Sequence, residues 1–174
     1  MNELKRYIRT VPDFPKPGIN FYDITTLLQD PAGFRLAVDG MERFVRSKQP
    51  QKIVAVEARG FIFGAALADR LGIGVAVARK PGKLPYKTVA QQYDLEYGSD
   101  SIVLHEDAVH KGERTVVVDD LIATGGTLEA VCRLIERLGG TVAGISAVID
   151  LSFLPWREKL AGYDVSYLIS YESE

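Results

Sequence analysis

Apolar residues along the chain follow two spacings, one typical of buried strands and one typical of amphipathic helices. Short apolar runs at residues 53–56, 74–78 and 116–118 predict strands that are buried on both faces, as in a parallel sheet. Apolar residues at helical spacing predict one helix after Pro31 and another after Gly126. The two patterns alternate along the chain, which predicts an α/β fold.

The complete pattern predicts a doubly wound, mainly parallel sheet that is flanked by helices. A further helix is predicted over 61–70, and further strands within 141–150 and near 165–169. Two strands at 93–97 and 101–105 surround Gly98-Ser99-Asp100 and predict a flexible antiparallel flap. Residues 79–92 contain charges, prolines and a glycine without clear periodicity, so we expect a mobile loop there.

Length and composition indicate one ordinary globular domain over residues 1–174. The chain is 47% hydrophobic and 25% charged, its net charge is −2, and Cys132 is its one cysteine. Prolines, glycines and aspartates early in the chain predict that the N-terminal segment is extended rather than helical. We expect a cytoplasmic protein without membrane or nucleic-acid partners, in which Cys132 is a core residue.

The most informative chemistry lies between residues 115 and 127. Asp119 and Asp120 follow a buried strand directly, and Gly125-Gly126 opens the next helix. Amides at a helix start bind anions, glycines let a phosphate approach closely, and Thr124 and Thr127 add hydroxyl donors. Ligands of open α/β sheets bind at this edge. The run therefore predicts a site for a phosphorylated ribose, although each short piece alone could be an ordinary strand end and helix cap.

Positive charge is concentrated in two other loops of this acidic chain. Arg59 follows a predicted strand at the same sheet edge, where its guanidinium could hold an anion. Arg79, Lys80 and Lys83 surround a turn that could swing, and Lys87 follows. Each cation could instead form a structural salt bridge or remain solvated, and the residues alone leave both interpretations open.

Five segments together resemble the type I phosphoribosyltransferases, and most of all the members that use adenine. The 115–127 run resembles the family's loop for 5-phosphoribosyl 1-pyrophosphate (PRPP). The other segments are Asp13-Phe14-Pro15-Lys16-Pro17-Gly18-Ile19-Asn20-Phe21-Tyr22-Asp23-Ile24, Glu57-Ala58-Arg59-Gly60-Phe61-Ile62-Phe63-Gly64, Arg79-Lys80-Pro81-Gly82-Lys83-Leu84-Pro85 and Tyr93-Asp94-Leu95-Glu96-Tyr97-Gly98. The resemblance covers nearly the whole chain, and the PRPP loop alone would indicate only the superfamily.

The resemblance implies Mg²⁺-dependent conversion of adenine and PRPP to AMP and pyrophosphate in purine salvage, by a homodimer. It implies that the ribose and 5′-phosphate are bound by Asp119, Asp120, Ala123, Thr124, Gly125, Gly126 and Thr127. It implies pyrophosphate contacts from Glu57, Ala58, Arg59, Arg79, Lys80 and Lys83, with a cis peptide at Glu57–Ala58. Adenine would be held by Asn20, Phe21, Tyr22 and Leu151, with residues 1–30 forming a small N-terminal hood that binds the base. Catalysis would rest on Glu96 and Arg59, in a flexible catalytic loop and flap over 79–105, and Mg²⁺ would be held mainly by the substrate.

One residue departs from the family pattern, and two other functions remain open. Many relatives have Arg where this chain has Tyr22, which matters only if that side chain contacts the base. A regulatory protein that senses PRPP without transferring it would keep the loop, but it would need a DNA-binding extension and would not need Glu96. A phosphoribosyltransferase for xanthine, guanine or orotate would differ in the base pocket, against which Phe21 and the Leu-Glu-Tyr-Gly segment argue.

Overall fold

A parallel sheet runs through the centre of the protein, whose computed structural model describes residues 2–94 and 98–173. Its strands are β3 (Lys52–Val56), β4 (Gly74–Ala78), β7 (Arg114–Val118), β8 (Leu121–Ile122), β9 (Thr141–Leu151) and β10 (Val165–Tyr171). The strand order is β10-β9-β7-β3-β4, β8 pairs with β9, and every neighbouring pair is parallel. The mainly parallel sheet predicted from the sequence is confirmed.

The central strands are apolar because helices or the flap cover both of their faces. Residues 53–56 and 116–118 are at most 1% exposed. Successive side chains of a strand point to opposite faces of the sheet. A strand that is apolar at every position is therefore fully buried only when both faces are covered. Two separate cores result, one on each face of the sheet.

Three long helices form the outer layers. Helices α3 (Pro31–Ser47) and α4 (Gly60–Leu71) pack into one core, and α5 (Gly126–Arg137) packs into the other. Helix α3 begins where the Asp30 carboxylate accepts from two backbone amides, with Pro31 in the first turn. Helix α4 ends at Gly72, whose φ is +67°, a conformation that glycine adopts without a steric cost. The predicted doubly wound arrangement is confirmed.

The antiparallel flap is present, but its first strand begins earlier than the sequence predicted. Strand β5 (Thr88–Asp94) pairs with β6 (Ser99–His105), so the expectation of a loop throughout 79–92 was wrong. Val89, Gln91 and Tyr93 are each more buried than their neighbours, which is the period of a strand. The polar Gln91 at an inward position hid that period. The predicted end of this strand, residues 95–97, lies outside the described residues.

The N-terminal segment folds back against the end of the sheet. It contains α1 (Asn2–Lys5), the antiparallel pair β1 (Arg9–Val11) and β2 (Phe21–Asp23), and α2 (Thr25–Gln29). The ring of Tyr22 is 7% exposed and stacks on Tyr171 of β10, with ring centroids 3.6 Å apart. A short helix, α6 (Trp156–Lys159), lies between β9 and β10.

Candidate functional site

A cavity of about 360 Å³ opens at the carboxyl ends of β3 and β7. It is lined by Val56, Glu57, Ala58, Arg59, Lys80, Tyr93, Ile102, Asp119, Asp120, Leu121 and Thr127. A smaller cavity of about 80 Å³ adjoins it and is lined by Asp119, Leu121 and residues 123–128. The structure thus brings together predicted site residues from three separate segments, at the edge where open α/β sheets bind ligands.

The smaller cavity is built from the start of helix α5. Gly125 is the N-cap residue, with a φ of +78°, and its carbonyl accepts from Glu129 N at 2.9 Å. The first amides of a helix have no partner within the helix, and the helix dipole adds positive potential there. Residues 123–127 carry no charged side chain. The loop can therefore bind a phosphate through backbone amides and the hydroxyls of Thr124 and Thr127.

The two adjacent carboxylates occupy different environments. Asp119 lines both cavities, whereas Asp120 is 4% exposed and its carbonyl accepts from the amides of Val148 and Ile149 in β9. Burial and the charge of Asp120 raise the pKa of Asp119 well above its ordinary value. Burial also raises the pKa of Asp120, while Arg59 opposes that rise. Both carboxylates would be stabilised by hydroxyl donors or a cation in the cavity.

Arg59 connects this acidic pair to the N-terminal segment. Its Nε lies 2.9 Å from Asp120 Oδ2, but the geometry is not that of a hydrogen bond, and Oδ2 has no hydrogen-bond donor among residues 2–94 and 98–173. Its guanidinium carbon lies 5.7 Å from the centre of the Phe21 ring, and Phe14 meets that ring edge-on at 5.2 Å. Arg59 is thus placed between the carboxylates and the aromatic residue predicted to stack on a base.

The loop after β3 approaches the β7 carboxylates closely. Its Glu57–Ala58 peptide bond is cis, as the family resemblance implied. A Cβ added to Gly60 would lie 2.9 Å from both Asp119 Oδ1 and the carbonyl oxygen of Val118. That contact involves backbone, so it cannot be relieved by a side-chain rotation, and it explains the glycine at the start of α4. The sequence singled out this glycine only as part of a motif.

Arg79 is paired with Glu57. Its Nη2 donates to Glu57 Oε1 at 2.8 Å, and Lys80 N donates to Glu57 Oε2 at 2.8 Å. The hydrogen bond from Arg79 is the main cause of the lowered pKa of Glu57. Arg79 also donates to the carbonyl of Lys83 at 3.1 Å. Arg79 therefore reaches the cavity through Glu57, and neither it nor Lys83 is among the residues that line it.

Lys80 is the predicted loop cation that does line the cavity. Its ammonium group contacts the Asp100 carboxylate and donates to the Tyr93 hydroxyl at 3.0 Å. Burial lowers the pKa of Lys80, but its bonds with Asp100 and Tyr93 raise it overall, and Lys80 in turn lowers the pKa of Asp100. Asp100 was not a predicted site residue, because its place opposite Tyr93 follows only from the register of the flap.

The predicted base-binding residues lie at the edge of the N-terminal segment and at the end of β9. The Tyr22 ring is buried against Tyr171, and its hydroxyl donates to the carbonyl of Ser173 at 3.2 Å. The side chain is thus used in packing, which leaves the main chain of Tyr22 for a ligand. Asn20 and Phe21 are half-buried, as is Leu151, which ends β9 in register with Tyr171.

Two further predictions concern Cys132 and Glu96. Cys132 lies on the buried face of α5, and burial raises the pKa of its thiol, so its predicted role as a core residue is confirmed. His105 ends strand β6 and His110 is exposed. Glu96, the predicted catalytic carboxylate, lies outside the described residues.

Two wider searches of the structure complete the description. Within residues 2–94 and 98–173, no cluster of three or more His, Cys, Asp or Glu side chains could hold a metal ion. None of the helices in the described part of the chain has the length and apolar character that crossing a membrane requires.

Comparison with known proteins gives a consistent family match. The model of the phosphoribosyl transferase domain matches residues 23–165. An adenine phosphoribosyltransferase of Desulfitobacterium hafniense (strain Y51) is 55% identical over 169 residues, which cover 97% of this chain and 98% of that protein. One of Thermotoga maritima is 52% identical, again over 97% of this chain and 98% of that protein.

Solved structures show the same similarity in three dimensions. Adenine phosphoribosyltransferase from Thermoanaerobacter pseudethanolicus has a TM-score of 0.94 at 49% identity, over 98% of this chain and 99% of that one. The Saccharomyces cerevisiae enzyme has a TM-score of 0.91 at 35% identity, over 97% of each chain. That yeast structure is a complex with an imino-altritol bisphosphate and adenine.

Proposed function

This chain belongs to the phosphoribosyltransferase family, and we propose that it transfers the phosphoribosyl group of PRPP to adenine, releasing pyrophosphate and forming AMP. The observation that carries this proposal is the junction of the two cavities. Paired carboxylates lie between an uncharged loop of amides and the ammonium group of Lys80. A 5′-phosphate, a ribose and a pyrophosphate follow in that order along PRPP.

The proposed binding mode assigns each part of PRPP to one part of the junction. Residues 123–127 hold the 5′-phosphate through the amides of α5, and Asp119 and Asp120 accept from the ribose hydroxyls. Pyrophosphate lies beside the loop of residues 57–59 and Lys80. The unsatisfied, buried Oδ2 of Asp120 supports this assignment, because a ligand hydroxyl would provide the donor that the described residues do not.

Arg79 and Lys83 act beside that loop in the proposed mode. Arg79 already neutralises Glu57, so it can reach pyrophosphate only if that pair rearranges. Whether these cations serve their own active site or that of a second subunit depends on the homodimer, which we propose on the family resemblance alone. On the same ground we propose one domain over residues 1–174, a place in purine salvage and a cytoplasmic location.

Adenine is proposed to bind between the N-terminal segment and β9. Phe21 would stack on one face of the purine and Leu151 would pack on the other, while main-chain groups of Asn20 and Tyr22 pair with its edge. The buried Tyr22 ring supports pairing through the main chain, because the side chain is already packed on Tyr171. Carbonyls that accept from an exocyclic amine favour adenine over hypoxanthine, whose oxygen cannot donate.

The residues present fit a magnesium ion that arrives with the substrate. Asp119 and Asp120 are the carboxylates that line the cavity beside the proposed pyrophosphate, together with Glu57. Burial raises the pKa of both Asp119 and Asp120, and a cation beside them would favour their charged forms. Asp119 and Asp120 would help to hold a Mg²⁺ ion that is bound mainly by the substrate, and the ion would supply positive charge that neutralises the leaving group.

The chain's own residues act on the charge that develops during transfer. As the bond from C1 to the pyrophosphate oxygen breaks, positive charge spreads over the ribose ring and the electron pair leaves with pyrophosphate. The carboxylates of Asp119 and Asp120 favour that cation, and Arg59 and Lys80 favour the departing anion. N9 of adenine then bonds to C1 and loses its proton. We propose Glu96 as the group that accepts this proton or orients the purine.

A competition assay tests the proposed function. PRPP and Mg²⁺ are supplied with equal amounts of adenine, hypoxanthine, guanine, xanthine and orotate, and the nucleotides are separated by chromatography. AMP should be the dominant product. A different nucleotide as the main product would support phosphoribosyl transfer but show that the protein prefers another base. PRPP binding without formation of any nucleotide would indicate a sensor and contradict the proposed transfer.

A further inference from the structure

The single tryptophan of the chain lies directly behind the proposed phosphate loop. Trp156 opens helix α6 and is 5% exposed. A Cβ added to Gly125 would lie 3.0 Å from the Cβ of Trp156 and 3.3 Å from its Cα. Helix α6 therefore forms a wall behind the loop, and the backbone of Gly125 cannot move toward it.

Trp156 is itself anchored by a buried carboxylate. Its indole Nε1 donates to Asp150 Oδ1 at 2.6 Å, and the Asp150 side chain is fully buried. Ser170 Oγ donates to Asp150 Oδ2 at 2.9 Å, and Arg157 Nη2 donates to the same oxygen at 3.2 Å. Three donors thus satisfy a carboxylate that would otherwise be costly to bury.

The backbone of Asp150 is also paired with the residue that precedes the loop. Asp150 pairs in register with Ile122 of β8, the residue that immediately precedes the loop. Gly125, at the far end, rests on Trp156. Both ends of residues 123–125 are therefore fixed to Asp150, one through the sheet and one through the indole.

Helix α6 depends on this anchor for its position. It has only four residues, and so short a helix is not stable by itself in water. Its remaining fixed contacts include the Trp156 ring, which meets Tyr167 edge-on at 6.2 Å. Without the bond to Asp150, the wall behind Gly125 would be free to shift.

We propose that Trp156, held by Asp150, is a positioning residue that fixes the phosphate loop in its binding conformation before PRPP arrives. The proposal rests on the proposed function, because it takes residues 123–127 as the 5′-phosphate site. Trp156 touches no reacting atom in this account. It acts only by restricting the loop before the ligand binds, so that the loop loses less conformational entropy when phosphate binds.

Trp156→Phe tests the anchor, because phenylalanine keeps a ring in the wall but cannot donate to Asp150. Loss of one such hydrogen bond should raise the KM for PRPP and the Kd of ribose 5-phosphate about fivefold. The KM for adenine and kcat should change less than about twofold, as expected when binding of one substrate is weakened uniformly. A merely structural role would not separate the two substrates in this way.

Tyr163→Phe provides a control in the turn that follows helix α6. The Tyr163 hydroxyl donates at 3.0 Å to Glu136, in the last turn of α5, far from the loop. This variant loses one hydrogen bond of similar kind and should leave both KM values unchanged. An unchanged KM for PRPP in Trp156→Phe, or equal losses for PRPP and adenine, would overturn the proposal.

A second measurement uses the unaltered protein and does not depend on a variant that folds. Because Trp156 is the sole tryptophan, fluorescence excited where tyrosine does not absorb reports on the wall alone. Titration with ribose 5-phosphate should change this emission saturably, and adenine alone should not. If the fluorescence emission of Trp156 did not change on addition of ribose 5-phosphate, the phosphate would not bind beside this wall and the positioning role would be overturned. If the wild type forms no AMP yet the emission still responds, the proposed transfer fails and the positioning role stands.

Discussion

The two ends of the proposed PRPP site bind anions by different means. At the phosphate end, residues 123–127 present helix amides and hydroxyls and carry no charged side chain. At the pyrophosphate end, charged side chains neutralise one another, with Arg79 on Glu57 and Lys80 on Asp100. The first end is fixed by backbone geometry, and the second is fixed by ion pairs.

This difference indicates what each end must do when ligand arrives. The amides at the start of α5 have no partner within the helix, so a phosphate can bind without displacing one. Lys80 already contacts Asp100 and Tyr93, so pyrophosphate must share or replace those contacts. A preformed end can hold the part of the substrate that is retained, while an end built on exchangeable pairs can release the part that leaves.

The carboxylates at the junction of the two ends should have the largest effect. The double substitution Asp119→Asn with Asp120→Asn removes the charged acceptors for the ribose hydroxyls, so PRPP affinity should fall by at least about 100-fold. Calorimetric titration with PRPP and Mg²⁺ measures it. Asp107→Asn, an exposed acid in the turn after β6, is the control and should bind normally. Tight PRPP binding by the double variant would remove these residues from the site.

Glu96→Gln should lower the rate of phosphoribosyl transfer without weakening the binding of PRPP. The amide keeps the size of the side chain but cannot accept the N9 proton, so kcat should fall about 100-fold while the Kd of PRPP changes little. Steady-state rates and a PRPP titration give the two quantities. Glu106→Gln, on an exposed residue close to the flap, is the control. Turnover that survives in Glu96→Gln would exclude this residue from the mechanism.

Lys80→Gln should weaken only the pyrophosphate end. Loss of the ammonium group should raise the Kd of pyrophosphate about tenfold at low salt and leave that of ribose 5-phosphate nearly unchanged. The difference should shrink as salt is added, because screening weakens the charge interaction in the wild type. Lys87→Gln, in the same loop and exposed, should affect neither ligand. Equal losses for both ligands in Lys80→Gln would show that the two ends are not independent.

The smallest expected effect is on how the stability of the ligand-free protein depends on pH. The aspartate pair and Glu57 should change this dependence in opposite directions. Because the pKa values of Asp119 and Asp120 are raised in the folded protein, their protonated forms stabilise the fold at acid pH. This contribution to the free energy of unfolding is lost as pH rises through the raised values. The lowered pKa of Glu57 means that its contribution is present above its ordinary value of 4.5 and is lost as pH falls.

Melting temperatures measured from acid to neutral pH check this contrast. The double Asp-to-Asn variant should gain stability relative to the wild type as pH rises, because two buried like charges are gone. Glu57→Gln should lose stability relative to the wild type at neutral pH and approach it in acid. Parallel curves for the two variants would contradict the opposite shifts.

The sequence predicted the strand and the helix of the backbone-built end well because their signals are local. The apolar run of β7, the Asp119-Asp120 pair and the glycines at the start of α5 lie within one short stretch, and each follows from strand or helix geometry. The alternating layers of the fold followed from the same periodicities. The expected loop through 79–92 failed where the inward Gln91 broke the apolar pattern of β5.

The charge-built end and its supports could not be predicted in the same way. Asp100 meets Lys80 only through the register of the flap, and Trp156 meets Gly125 only through the path of α6. Such contacts join residues that are distant in the chain and leave no spacing to recognise. The same holds for Tyr22, whose side chain stacks on Tyr171. That contact is visible only in the folded structure.

One measurement tests the central claim most directly: the yield of AMP and pyrophosphate from PRPP and adenine, for the wild type and the Asp119→Asn, Asp120→Asn variant side by side. We predict that the wild type forms AMP and pyrophosphate in equal amounts and that the folded variant forms neither. No AMP from the wild type would contradict the proposed transfer, and equal yields from both proteins would contradict its assignment to this cavity.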